Sequence, residues 1–216
     1  MIANDLSNTT QPQTQMDSDA LLQASRRLDW RFLLPDPALD RVAYIGLAHG
    51  ALVESLRLFS TSLTVVDPRA ADDRTAQYDV VVATDPTYAM LQRAVALVRP
   101  GGCLYVETHA ALRLRRRGDT GRRMNKSPRL RYAADYVTVL RRLGLASVEA
   151  HWHWPNFESC AEIVPLDDRA ALLLAFARRQ SGPAARMKST LGRWLLRGGL
   201  FARLVPCFSV VGRKPD

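Results

Sequence analysis

Apolar residues fall in short runs that close on polar turns: Val42 to Ile45, Leu63 to Val66, Tyr78 to Ala83 and Cys103 to Glu107. Runs this short, rich in β-branched residues and bounded by turn chemistry, read as strands buried on both faces. Between them the apolar spacing turns helical. One helix starts near Ala51, and another spans about Ala89 to Val98 before Arg99-Pro100-Gly101-Gly102. Strands alternating with helices predict an α/β fold, a Rossmann-like doubly wound and mostly parallel sheet with helices on both faces. After Asp67, only PRAADDRTAQ precedes the next strand. That link is too short for a crossover helix, another strand and its return, so the sheet is expected to be trimmed by about one βα unit.

The flanks follow the same logic. Residues 1–17 are rich in Asn, Thr, Gln and Ser and are expected to be a disordered tail. Asp17 or Ser18 caps a helix from Asp19 to about Leu28, and Trp30, Phe32, Leu33 and Leu34 are expected to pack beneath the sheet before Pro35 and Pro37. Leu130 to Leu143 reads as a helix stopped by Gly144, with Tyr132, Tyr136, Val139, Leu140 and Leu143 on one side. From Ser147, strand alternation puts Val148, Ala150, Trp152 and Trp154 on one face and His151 and His153 on the other. Ala161 to Val164 is a short strand, and Asp167-Asp168 caps a helix from Arg169 to Arg178. Residues 184–205 read as a basic amphipathic helix, suited either to covering the sheet or to lying on an anionic membrane or a protein partner. A final strand over 207–212 returns to the sheet, so 18–216 is expected to be a single domain.

Composition narrows the partners. The chain is 47% apolar, enough for a real core, and carries a formal net charge of +9. That balance favours anionic partners: phosphorylated or acidic small molecules, nucleic acid, or an acidic membrane surface. Residues 110–131 concentrate the charge as a basic loop, with nine Lys or Arg against one Asp. The loop follows the strand that ends at His109, so it falls on the same side of the sheet as that strand's carboxyl end. Arg115, Arg116 and Arg117 are its densest part, able to clamp an acid group or grip nucleic acid. The three cysteines are widely spaced and suggest neither a disulfide frame nor a zinc site. Two histidines two apart on a strand face can begin a metal site, but no third ligand stands out, and no metal is expected. With no leader pattern and no run of about 18 apolar residues, a cytoplasmic protein without a transmembrane segment is expected.

The candidate chemistry gathers at strand ends. The first strand runs into Gly46-Leu47-Ala48-His49-Gly50 and then a helix, a turn whose small residues let backbone approach a ligand at a helix N-terminus. Asp67-Pro68 closes the second strand about 20 residues on, where an acidic residue accepts ribose hydroxyls. Thr84, Asp85 and Tyr88 follow the next strand and His109 the one after, all on the edge where open α/β sheets bind ligands. His151, His153 and Glu158 are candidate acceptor-pocket residues.

The succession VAYIGLAHG, LTVVDP, YDVVVATDP, LVRPGGCLYVET and FSVVGRKP resembles the class I S-adenosylmethionine-dependent methyltransferases. The resemblance covers residues 41–109 well and 130–212 loosely. It implies S-adenosylmethionine as cofactor, with Gly46, Ala48 and Gly50 shaping the turn around its methionine and ribose parts. It also implies Asp67 on the ribose hydroxyls, and Thr84 and Asp85 beside the methyl group. Three features depart from the family. Tyr44 stands where the first strand usually carries an acid, Ala48 replaces the middle glycine, and the third strand is missing. DPTY at Asp85–Tyr88 resembles, with one mismatch, the D-P-P-Y turn of amino-group methyltransferases. The leading expectation is an enzyme that methylates a small-molecule or biosynthetic-intermediate acceptor, anionic in character, with His109 and then Asp85 as candidate base. The alternatives are an RNA N-methyltransferase and a degenerate methyltransferase-fold scaffold that binds a partner without catalysis.

Overall fold

The computed structural model describes residues 18–67, 77–109, 130–178 and 183–216. The expected tail, Pro68 and the basic segment from 110 to 129, with Arg115, Arg116 and Arg117, lie outside the described residues. Seven strands form one sheet: β1 (Leu39–Ile45), β2 (Ser60–Val66), β3 (Tyr78–Thr84), β4 (Val98–His109), β5 (Ala146–Trp154), β6 (Glu162–Pro165) and β7 (Cys207–Arg213), in the order β2-β1-β3-β4-β7-β5-β6. β2, β1, β3 and β4 are mutually parallel, and β7 runs antiparallel to β4. β5 is antiparallel to β7 and so points with β4, while β6 pairs antiparallel on β5. The sheet is thus mostly parallel and Rossmann-like. Among the described residues it is also trimmed as expected, since β2 is the edge strand where the doubly wound order places a third.

Two apolar clusters, one on each face, hold the layers together. Val42, Tyr44, Val80, Val82, Cys103 and Tyr105 point to the face covered by α2 (Ala51–Phe59) and by the Leu28–Leu34 segment. That segment follows α1 (Ser18–Arg26) and includes a short 3-10 helix, Asp29–Leu33. Ala43, Ile45, Val81, Ala83, Leu104 and Val106 point to the opposite face. There α3 (Tyr88–Leu97), α4 (Ala133–Arg142), α5 (Arg169–Arg178), α6 (Pro183–Arg197) and α7 (Phe201–Leu204) pack. Strict alternation along β1, β3 and β4 explains why sequence runs with no polar gap make strands buried on both sides.

Several expectations need correction. Phe32 is 65% exposed while Trp30 and Leu34 are buried, because the 3-10 turn carries residue 32 away from the sheet. The helix placed from Leu130 begins at Ala133, where Asp135 accepts the backbone N–H groups of Arg131 and Tyr132, each at 3.0 Å. The basic helix does not run through 184–205. It stops at Arg197, where Gly198-Gly199 follows with Gly199 at φ 66°, and only the short α7 resumes. On the face that alternation assigns to it, Trp152 is core, 3% exposed and in ring contact with Trp154, Phe176 and Phe201.

Candidate active site

From β1 the chain crosses through α2 to β2 on one side and resumes with β3 on the other. The crevice beyond the carboxyl ends of β1 and β3 is therefore the topological switch point, where open α/β sheets take ligands. The Gly46–Gly50 turn lies there. Tyr44, buried in the β1 interior, sends its hydroxyl to Thr84 Oγ1 of β3, 2.9 Å away. The bond passes directly beside Gly46. A Cβ on Gly46 would overlap Thr84 Oγ1 and come within 2.5 Å of the Tyr44 hydroxyl, so residue 46 must be glycine. Leu47, Ala48, His49 and Gly50 are exposed, Leu47 by 70%. No side chain caps α2, which leaves its first-turn N–H groups and positive dipole end at this edge. Asp67 is exposed just past β2, its backbone carbonyl accepting from Arg93 at 2.7 Å.

Asp85 is the most constrained residue of the edge. It adopts φ 43°, a left-handed conformation uncommon outside glycine. Its backbone N–H donates to the Glu107 carbonyl at 2.8 Å. Its carboxylate accepts the His109 backbone N–H at 2.9 Å through Oδ1 and meets His109 Nδ1 at 3.2 Å through Oδ2. β3 and β4 thus present a carboxylate–imidazole pair at adjacent carboxyl ends. The hydrogen bond to Asp85 and its charge hold the His109 pKa above the ordinary value against the opposing effect of burial; Glu158 and Glu107 add to the rise. Beyond the pair, Pro86 is buried, Thr87 caps α3 through the Met90 N–H at 3.3 Å, and half-buried Tyr88 packs on the core. The DPTY segment is therefore at once the dyad's anchor and a helix start.

Behind His109 lies a buried polar cluster that the sequence reading missed. Arg27, from the end of α1, makes two 2.6 Å bonds to the Glu107 carboxylate, and the two residues are 8% and 1% exposed. The Tyr105 hydroxyl donates to the same carboxylate at 3.1 Å, and Trp30 stacks on the Tyr105 ring at 3.9 Å. Burial presses the Arg27 guanidinium towards neutrality, but the bonds and charge of Glu107 outweigh it. Phe157 joins this cluster to the site: its ring meets His109 edge-on at 5.1 Å and lies 5.7 Å from the Arg27 guanidinium carbon. The available signal was a glutamate inside an otherwise apolar strand, since a buried carboxylate must find a partner.

The histidines of β5 are placed differently from His109. Both point away from the Trp152 face, as expected, but they are buried. His153 bonds Ser209 at 2.8 Å, lies 3.5 Å from the Cys160 sulfur and packs on Phe157. Burial pushes its pKa down to about 3, so it is a neutral interior group beneath the edge. His151 lies two residues deeper in the strand, near Glu149 rather than the dyad. The structure brings Glu158, which is exposed, into electrostatic reach of His109 and Arg27, and leaves His151 out.

A Rossmann-like sheet, with a glycine turn at its switch point and acidic and imidazole groups at the neighbouring strand ends, makes this an α/β protein of the doubly wound class. No family model matches the chain, and no curated protein matches it in sequence. Among solved structures it is similar to Haemonchus contortus phosphoethanolamine N-methyltransferase 2 in complex with phosphomonomethylethanolamine and S-adenosylhomocysteine. The TM-score is 0.46 at 14% identity, over 93% of this chain and 53% of that one, so the chain spans about half of that protein's length. It is also similar to a SAM-dependent methyltransferase of Thermotoga maritima, with a TM-score of 0.45 at 13% identity over 89% of each chain.

Proposed function

We propose that this protein is an S-adenosylmethionine-dependent methyltransferase acting on a small anionic acceptor, with His109 as the base and Asp85 as the residue that positions it. The observation that carries the reading is the Asp85–His109 pair at the carboxyl ends of β3 and β4, beside the Gly46 turn. The donor set suits the cofactor. Exposed backbone at an uncapped helix N-terminus matches a carboxylate, and exposed Asp67 at the end of the adjacent strand matches a ribose diol. Tyr44 gives its hydroxyl to Thr84 rather than to a ligand, so binding rests on the turn and Asp67 without the family's first-strand acid.

When bound, the cofactor supplies a sulfonium-activated methyl group, so the protein must align an acceptor and remove its proton. Asp85 accepting from Nδ1–H fixes the tautomer in which Nε2 of His109 receives that proton. With the cofactor held by the Gly46–Gly50 turn and Asp67, its methyl group would face an acceptor at the β3–β4 edge, and Nε2 of His109 would receive the acceptor's proton. Arg115, Arg116 and Arg117 follow β4 in the chain and hold the acceptor's acid group. The same arginines and DPTY leave an RNA base as the alternative acceptor. The Tyr44–Thr84 bond favours one other reading, a scaffold that has lost the cofactor.

Methyl-labelled S-adenosylmethionine offered with a panel of phosphorylated amines, phenols and carboxylic acids tests the proposal. Label is expected to move with a rate that rises with pH to a midpoint above about 6.5, the free imidazole value. Asp85→Asn is expected to lower both that midpoint and the rate, and His109→Ala to slow transfer by about 100-fold or more. Unchanged transfer in both variants would remove the dyad from the chemistry.

A further inference from the structure

α6 carries two apolar faces, and only one of them is used by the fold. Its inner face is built from small or apolar groups. Gly192 sits against the Phe176 ring so closely that a Cβ there would come within 2.5 Å of Cζ. Ser189 donates to the Phe176 carbonyl at 2.7 Å, and Leu196 packs on the core. At about 100° per residue, Met187, Leu191 and Trp194 lie within about 60° of one another on the opposite side. They are 69%, 56% and 65% exposed, and Leu200 and Leu204, past the helix end, are 38% and 49% exposed. This is an outward ridge of large side chains, not scattered single residues.

Charge says what suits the ridge. Residues 183–205 contain Arg186, Lys188, Arg193, Arg197 and Arg203 and no acidic residue. Arg197 falls about 80–100° to one side of the ridge in the helix's angular order, and Arg203 of α7 is exposed beyond it. An apolar ridge with a tryptophan, bordered by long basic side chains, matches an anionic lipid surface. The ridge enters the headgroup–acyl boundary, and the cations reach the phosphates beside it. A second copy of the chain fits poorly, because each copy brings the same basic border and a formal net charge of +9. We propose that α6 and α7 form a peripheral docking surface for an anionic lipid bilayer, independent of whether the site transfers methyl groups.

The full chain is to be sedimented with phosphatidylcholine vesicles and with vesicles of phosphatidylcholine and phosphatidylglycerol. Binding is expected to the anionic vesicles, to weaken with salt, and to be absent on phosphatidylcholine alone. The variant M187S/L191S/W194S, altered only at exposed positions, should bind at least about tenfold more weakly. Two further variants guard against misfolding. R197E/R203E should lose anionic selectivity, and Trp194→Phe should lose the blue shift of tryptophan emission that vesicles induce in the parent. The proposal is overturned by no pelleting with either vesicle, by equal pelleting of the ridge variant, or by self-association that the ridge substitutions abolish.

Discussion

At the scale of single residues, one buried ion pair bears directly on the site. Glu107 is held by Arg27 and Tyr105 on the face of β4 that ends at His109, so the buried ion pair fixes the strand end carrying the proposed base. A buried pair adds little net stability over apolar replacements, but breaking it strands a charge. Glu107→Ala is therefore expected to cost about 3–5 kcal/mol in denaturant unfolding, and R27M/E107L much less. Equal losses in the two variants would show the pair to be no more than packing. His153 gives the pH response. Its folded pKa, about 3, is depressed below the ordinary value near 6.5, so the unfolded chain binds the proton first. Stability is thus lost as pH falls below about 6.5, by about 1.4 kcal/mol per pH unit from this group. His109, with its pKa raised, acts in the opposite sense: its stabilisation is complete below the unfolded value and fades as pH rises through the folded one. His153→Gln should flatten the acid-side slope in unfolding measured across pH 5–6.5, and an unchanged slope would mean that His153 is already charged in the fold.

At the scale of elements, the strands were legible because β1, β3 and β4 are buried on both faces and so read as unbroken apolar runs. The convergence of Gly46, Asp67, Asp85 and His109 on one edge was legible too, because parallel strands put every following turn on the same side. Side-chain pairing over distance was not. Arg27 and Glu107 are 80 residues apart, and no local period links them. The left-handed Asp85 leaves no mark in composition either; DPTY looks like an ordinary turn until its carboxylate is seen holding His109. α6 was half legible for a related reason. Its apolar period allowed a covering or a surface helix, and α6 does pack on the sheet, but through Ser189 and Gly192, while the larger Met187, Leu191 and Trp194 point outward. Small residues carry little weight in a hydrophobic pattern, yet they decide which face can approach the sheet.

At the scale of the whole molecule, no strand pairs beyond β2 among the described residues, and an antiparallel β5–β6 hairpin forms the far edge. The switch point is indifferent to both edges, because it depends only on the order β2-β1-β3. Among the described residues, no helix is long and apolar enough to cross a membrane. The central claim is that the trimmed sheet still holds a methyl donor at this switch point, and calorimetric titration with S-adenosylmethionine and S-adenosylhomocysteine, beside an Asp67→Ala control, tests it most directly. Saturable one-to-one binding of both ligands, weakened at least about tenfold in the control, is the predicted result, since the control removes charge-assisted hydrogen bonds. No binding to the parent, or binding indifferent to Asp67, would contradict it and make the partner-binding scaffold the better account.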